Sequence, residues 1–250
     1  MNKIITFIKA EYAKIKDKPA KERWEYLWDY YKIPALCVVL AVVLLAQGIV
    51  SVANRTETVF SAYILNSKLG VNDEMFLNGF YEYAGIDSSS QSAAFYTDMT
   101  VVEGKTQNNT DIFQRIMAGI SIRDTDFITG SPEAFHMCAY NTGSILVDLR
   151  EFLAPQTLEK LADRLYYIDS AVLEQMKVPL GEHIEPGLIT YPDPKKPETM
   201  KDPIPVGIDI TDCKAFQEAY YFSGTTIYIG VVPNTQRPEL TAKFIDYLFA

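Results

Sequence analysis

Residues able to do chemistry are few and scattered in this chain of 250 residues. Its two histidines, His136 and His183, lie far apart, so no His-x-x-x-His metal pair exists, and no Cys-x-x-Cys occurs. There is no Gly-x-Ser-x-Gly turn to expose a serine nucleophile and no glycine-rich phosphate loop with a following lysine. Asp124 and Asp126 suggest paired carboxylates, but at a turn-to-strand junction Asp124 belongs to the turn. Asp209 and Asp212 read as a strand edge and a helix cap. No catalytic residue, metal ligand set or cofactor is expected, and the chain reads as a non-enzyme.

The polar residues left for binding stand where apolar runs end. Asn66, Ser67 and Lys68 follow Val59–Leu65, while Thr129, Gly130 and Ser131 close the run that starts at Thr125. Ligands of open α/β sheets bind beyond the carboxyl ends of strands, which makes these six the candidate ligand-binding residues. Ser131 has two roles open: a hydroxyl presented with backbone N–H groups at a helix start, or a plain N-cap before Pro132. Cys138 and Cys213 could close one disulfide outside a cell or stay as two buried thiols, and spacing does not decide. Cys37 reads as a small apolar packing residue.

The elements that must position these residues follow from periodicity. Strands are expected at 59–65, 93–96, 125–129, 206–210 and 227–232, alternating with helices at 72–84, 111–120, 132–140, 155–165, 212–219 and 238–249. In the first of these helices Met75, Phe76, Phe80 and Tyr83 form the apolar face; in the second, Ile112, Ile116 and Met117 do. Alternation at this spacing predicts an α/β domain with a largely parallel sheet. Residues 179–205 hold seven of the thirteen prolines and read as an irregular connection.

All of this follows a different kind of segment. Ile33 to Ala53 carries no charge and only two clearly polar side chains, Gln47 and Ser51. A helix of about 20 residues rises about 30 Å, enough to cross a bilayer's hydrocarbon core. Residues 33–53 are therefore read as a transmembrane helix and residues 54–250 as one extracytoplasmic domain. Eight Lys/Arg precede the span, with only Arg55 and Lys68 within comparable distance after it, which places the N-terminus in the cytoplasm. Ser51-Val52-Ala53 also fits a signal-peptide cleavage site, but the preceding segment and the apolar run are both long for one. A lipoprotein reading fails on Leu36 before Cys37.

Residues 1–32 form a basic, aromatic juxtamembrane segment. Ile4, Ile5, Ile8, Tyr12 and Ile15 mark an amphipathic helix, and Trp24, Leu27, Trp28 and Tyr31 form one stripe suited to the headgroup region. Charge is unevenly divided: residues 54–250 hold fifteen basic and twenty-seven acidic side chains. Such a domain repels nucleic acid, so no nucleic-acid partner is expected.

The run Ile112 to Leu149 resembles the first-lobe core of type II periplasmic solute-binding proteins of ABC transporters. The resemblance lies in Ala118-Gly119, in Asp126 before Phe127-Ile128-Thr129, and in Gly143 through Asp148-Leu149. The tail from Tyr228 to Phe249 is similar to that family's late strand and following helix, where the chain returns to the first lobe. The resemblance implies a bacterial, membrane-anchored lobe of this type. About 40 proline-rich residues separate Leu165 from Val206, too few for a full second lobe. A lone lobe offers half a cleft, and burial is where small-ligand affinity resides. The expectation is a single-pass membrane protein with a non-catalytic binding domain at the cell surface, acting as an interaction or sensing subunit. The alternative is a tethered receptor that delivers a sugar or peptide to an ABC transporter. The bilayer is one partner, and another membrane protein or transporter subunit is the other.

Overall fold

A computed structural model describes residues 12–13, 16, 18–53, 56–102, 106–140, 145–177, 189–222 and 226–250. It divides into two compact units, 1–55 and 56–250.

The first unit is dominated by one helix, α1 (Ala20–Ala53). Tyr31–Val50 has a mean hydropathy of 2.6 and none of it is buried, so this helix is long and apolar enough to cross a membrane. Pro34 lies inside the helix instead of opening it, and the Trp24, Trp28 and Tyr31 stripe runs into the apolar stretch without a break. The amphipathic helix expected near Ile4–Ile15 lies mostly outside the described residues.

The second unit is a three-layer α/β domain. Its strands are β1 (Glu57–Leu65), β2 (Lys68–Leu69), β3 (Gln91–Tyr96), β4 (Phe127–Gly130), β5 (Leu165–Asp169), β6 (Pro203–Asp209), β7 (Tyr220–Tyr221) and β8 (Tyr228–Val231). Its helices are α2 (Asp73–Ala84), α3 (Thr106–Ser121), α4 (Pro132–Ala139), α5 (Leu149–Phe152), α6 (Pro155–Lys160), α7 (Ser170–Met176), α8 (Lys214–Ala219) and α9 (Pro238–Leu248). Six strands form one sheet in the order β3-β1-β4-β8-β6-β5, and β2 pairs with β7 in a separate ribbon.

The sheet is mixed, which corrects the expectation of a largely parallel one. β3, β1 and β4 are parallel, whereas β8 runs antiparallel between β4 and β6, and β5 runs antiparallel on the far edge. The tail strand β8 thus returns to the middle of the sheet. β5 is a strand where the sequence pattern predicts the end of a helix at Leu165. The helix stops at Lys160, and the β-prone run Leu-Tyr-Tyr-Ile continues the sheet. β6 starts three residues earlier than expected. Pro203 and Pro205 are tolerated there because β8 reaches only Ile208 and Asp209, leaving one side of the proline stretch without a strand neighbour.

Alternation along the strands builds two cores. Phe60, Ala62 and Ile64 of β1 face one side with Phe127, Ile229 and Val231. Phe76 and Phe80 of α2, Phe216 of α8 and Phe244 of α9 cover that side. Rings pack closely there, Phe127 stacked on Phe244 at 4.7 Å and Phe80 edge-on to Phe244 at 4.9 Å, worth about 0.5–1.5 kcal/mol a pair beyond area burial. Tyr63, Leu65 and Ile128 face the other side, under Ile116 of α3 and Phe135 of α4. Met75, Tyr83 and Met117, expected on apolar helix faces, are exposed instead.

Both sheet edges are blunted. On β3 the N–H of Ala93 donates to the Tyr81 hydroxyl and that of Gln91 to the Asp87 carbonyl. On β5 the N–H of Tyr167 donates to the Pro194 carbonyl of the chain segment 189–202. That segment is irregular with one short 3₁₀ turn, Pro197–Thr199, and residues 178–188 of the proline-rich connection lie outside the described residues.

Candidate functional site

Five of the six candidate binding residues sit at the finishing ends of β1 and β4, and most are turned inward. Asn66 has a left-handed backbone (φ 59), which lets the chain turn sharply out of β1. Its side-chain N–H₂ donates to the Val101 carbonyl and to the Ser131 hydroxyl, both at 3.0 Å, while its amide oxygen accepts from the Val101 N–H at 2.7 Å. Ser67 is buried and donates to the Ile64 carbonyl at 2.9 Å. Thr129 is buried on the sheet, and its hydroxyl has no hydrogen-bond partner among the described residues. Gly130 is buried, and a Cβ there would press on Leu65 and Ala134 at 3.3 Å.

Ser131 occupies the N-cap position of α4 but makes no side-chain cap bond, because its hydroxyl is engaged by Asn66. Only Lys68 is exposed, on the ribbon strand β2 opposite Tyr221. The structure therefore brings Asn66 and Ser131 together as an internal bracket and leaves Lys68 separate.

A recess does exist beside α4. It has a volume of about 330 Å³ and is lined by Pro132, Glu133, His136 and Met137 on the helix, by Tyr166 and Tyr228 on the sheet, and by Pro194. His136 has its Nδ1 3.1 Å from the Tyr166 hydroxyl, and its ring meets Tyr140 at a tilt and Tyr191 edge-on. Burial pushes the Tyr166 and Tyr228 hydroxyls above the ordinary tyrosine range, so both stay neutral. Lys195 approaches the Tyr228 ring at 5.3 Å and pairs with Asp209 at 3.2 Å. Burial alone would raise the Asp209 carboxyl, but the Thr211 hydroxyl and N–H and the Lys195 ammonium outweigh it and hold it below the usual range. Most of the other tyrosines are core or edge residues: Tyr140 and Tyr220 are buried, and Tyr83 and Tyr221 are exposed. His183 lies outside the described residues.

Sequence reasoning missed the strongest polar feature. Asp126 is 0 % exposed, just before β4. Its carboxylate accepts from the Ser61 N–H at 2.8 Å, the Thr235 hydroxyl at 2.5 Å and the Arg237 guanidinium at 2.8 Å. Arg237 also reaches the Thr58 carbonyl at 3.2 Å and Asp124 at 3.5 Å. Arg237 is 111 residues from Asp126 along the chain; the only local signal was an acid placed at the head of an apolar strand.

Cys138 and Cys213 are both free, which corrects the disulfide option. Cys138 points from α4 into one core and Cys213 lies in the core on the opposite face of the sheet. Burial pushes the Cys213 thiol up to about 11 and the Cys138 thiol higher still. Among the described residues no group of three or more His, Cys, Asp or Glu could hold a metal ion. No protein-family model, no curated protein and no solved structure matches this chain. What fold and geometry define is a mixed α/β domain following a helix capable of crossing a membrane, with a small aromatic recess and an internally bonded strand end.

Proposed function

We propose that this chain is a membrane-anchored binding protein, an interaction or sensing subunit with a single lobe of solute-binding type displayed outside the cytoplasm. The anchor is α1, uncleaved, with its basic N-terminal segment in the cytoplasm. The observation that carries the reading is the fate of the strand-end residues. Asn66, Ser67, Thr129, Gly130 and Ser131 face the interior, and Asn66, Ser67 and Ser131 spend their side chains on internal hydrogen bonds. The surface where a solute would be gripped is thereby spent on holding the fold. The return of β8 into the sheet between β4 and β6 supports a single complete lobe with no second one.

The recess beside His136 favours the second reading, a tethered receptor that passes a sugar or peptide to an ABC transporter. Thermal unfolding of residues 56–250 against sugars, oligosaccharides, peptides and amino acids separates the two. A ligand at 100 times its dissociation constant adds about 2.7 kcal/mol, a rise of several degrees. An unchanged midpoint across the panel is expected. A saturable rise with one solute would replace the interaction reading by the receptor reading.

A further inference from the structure

Large apolar side chains stand out in solvent on the ribbon of β2 and β7 and on the segment that leads from β2 into α2. Leu69 is 61 % exposed, Val71 97 %, Met75 65 % and Tyr221 59 %. Exposed apolar residues are ordinary one at a time, but a local group of them marks an interaction surface. This group is not on a slack loop. The Gly70 N–H donates to the Ala219 carbonyl at 2.7 Å, and Lys68 and Leu69 pair with Tyr221 and Tyr220. A Cβ at Gly70 would lie 2.2 Å from the Glu218 carbonyl oxygen, so only glycine allows the backbones to meet this closely. The Asn72 side chain donates to Glu218 at 3.2 Å and ties the start of α2 to the end of α8. The fold thus builds a fixed support for residues it does not bury. A shallow groove of about 560 Å³ runs along it, lined by Leu69, Val71, Asn72, Gln217, Glu218 and Tyr221.

We propose that this ribbon tip is a protein-docking surface whose partner presents an apolar side chain flanked by lysine or arginine. The charge of the rim selects that partner. Glu218 lines the groove and Asp73 and Glu74 follow Asn72 in the first turn of α2, while Lys68 is the cation of β2, on a domain with twenty-seven acids and fifteen bases. A second copy of this chain docked tip to tip would oppose acid to acid, and an anionic lipid surface would be repelled in the same way. A basic-rimmed protein meets both the apolar centre and the acidic edge. The proposal rests on the interaction-subunit reading and names its surface.

The test uses the full chain in the membrane of cells that make it, with the photoreactive residue p-benzoylphenylalanine at Val71, at Tyr191 beside the aromatic recess, or at Ile122. Ile122 is 72 % exposed and lies just after α3, away from the ribbon. The expected result is a discrete adduct with another polypeptide from Val71 and none from Ile122. Its yield should fall roughly threefold or more with Glu74→Lys and in about 0.5 M salt, as a rim charge pair requires. Leu69→Ser should lower it about tenfold, as loss of a central apolar anchor does. An adduct at twice the mass of this chain, a lipid adduct alone, or a yield indifferent to Glu74→Lys overturns the proposal. Adducts from Tyr191 but not from Val71 overturn the tip assignment and leave the interaction reading standing. No adduct from any position overturns both.

Discussion

The central strands β1 and β4 begin and finish in opposite chemistry. Where they begin, a buried carboxylate is clamped by a guanidinium, a hydroxyl and a backbone N–H. Where they finish, a neutral amide, Asn66, ties two loops and a serine hydroxyl together without any charge. Both ends are closed by polar groups that serve the chain itself. The difference lies in what failure would cost. An ion pair taken out of water is tolerable only while both partners are present, whereas an amide bracket can lose a bond and let water in. The charged end fixes how α9 docks on the sheet, and the neutral end frees the ribbon that follows it to carry exposed residues.

The comparison breaks most visibly at Arg237. Arg237→Met leaves Asp126 buried and unpaired, and a loss of about 3–5 kcal/mol is expected by urea denaturation of residues 56–250. Asp126→Asn combined with Arg237→Met should recover part of that loss, because no uncompensated charge remains. If Arg237→Met costs under about 1 kcal/mol, the Thr235 and Ser61 donors suffice alone and the ion pair is incidental.

At the neutral end the expected effect is smaller. Asn66→Ala removes three side-chain hydrogen bonds and puts alanine in a left-handed backbone, a loss of roughly 2–3 kcal/mol. Asn66→Gly keeps the backbone at ease and loses only the bracket, so it should be milder than alanine by about 1 kcal/mol. Equal losses in the two variants would assign the whole effect to hydrogen bonding. Denaturation midpoints of the three proteins decide it.

How much of this was legible depends on the range of the interaction. The long apolar run of β1, the helix α9 with Phe244, Ile245 and Leu248 inward, and the uncharged stretch of α1 are local patterns, and each could be read directly. The pairing of Asp126 with Arg237 joins residues 111 apart, and no periodicity encodes it. β5 was hidden because a proline-started helix runs up to it with only a 3₁₀ turn between. Asn66, Ser67, Thr129, Gly130 and Ser131 do lie where β1 and β4 finish, since topology fixes that, but Lys68 belongs to β2 and the orientation of the others is not encoded locally. Asn66 and Ser131 look like ligand donors until each is seen to be the other's partner. The ribbon tip was invisible, because Leu69, Val71 and Met75 read as ordinary apolar residues and only burial tells them apart from core.

The finest test concerns Asp169, at the finishing end of the antiparallel strand β5 and so on the same side of the sheet as Asp126. Desolvation by itself would raise its carboxyl, but the N–H groups of Lys201, Asp202 and Ala171 all donate to it and together hold it below the usual carboxylate range. A depressed value in the folded state means the contribution is complete above the unfolded value of about 4 and fades as pH falls through the folded one. Asp169→Asn replaces one acceptor oxygen by a donor, so at least one of the three N–H groups loses its partner. At neutral pH the variant should be less stable by about 1–2 kcal/mol, reduced from the buried case because the carboxylate is partly screened by water. As pH falls below the ordinary carboxylate range and through the depressed folded value, the wild-type carboxylate is itself lost, and the two stability curves should converge. Curves that stay parallel from neutral pH down through the acid range would mean that the N–H groups hold Asp169 by geometry alone, without help from its charge.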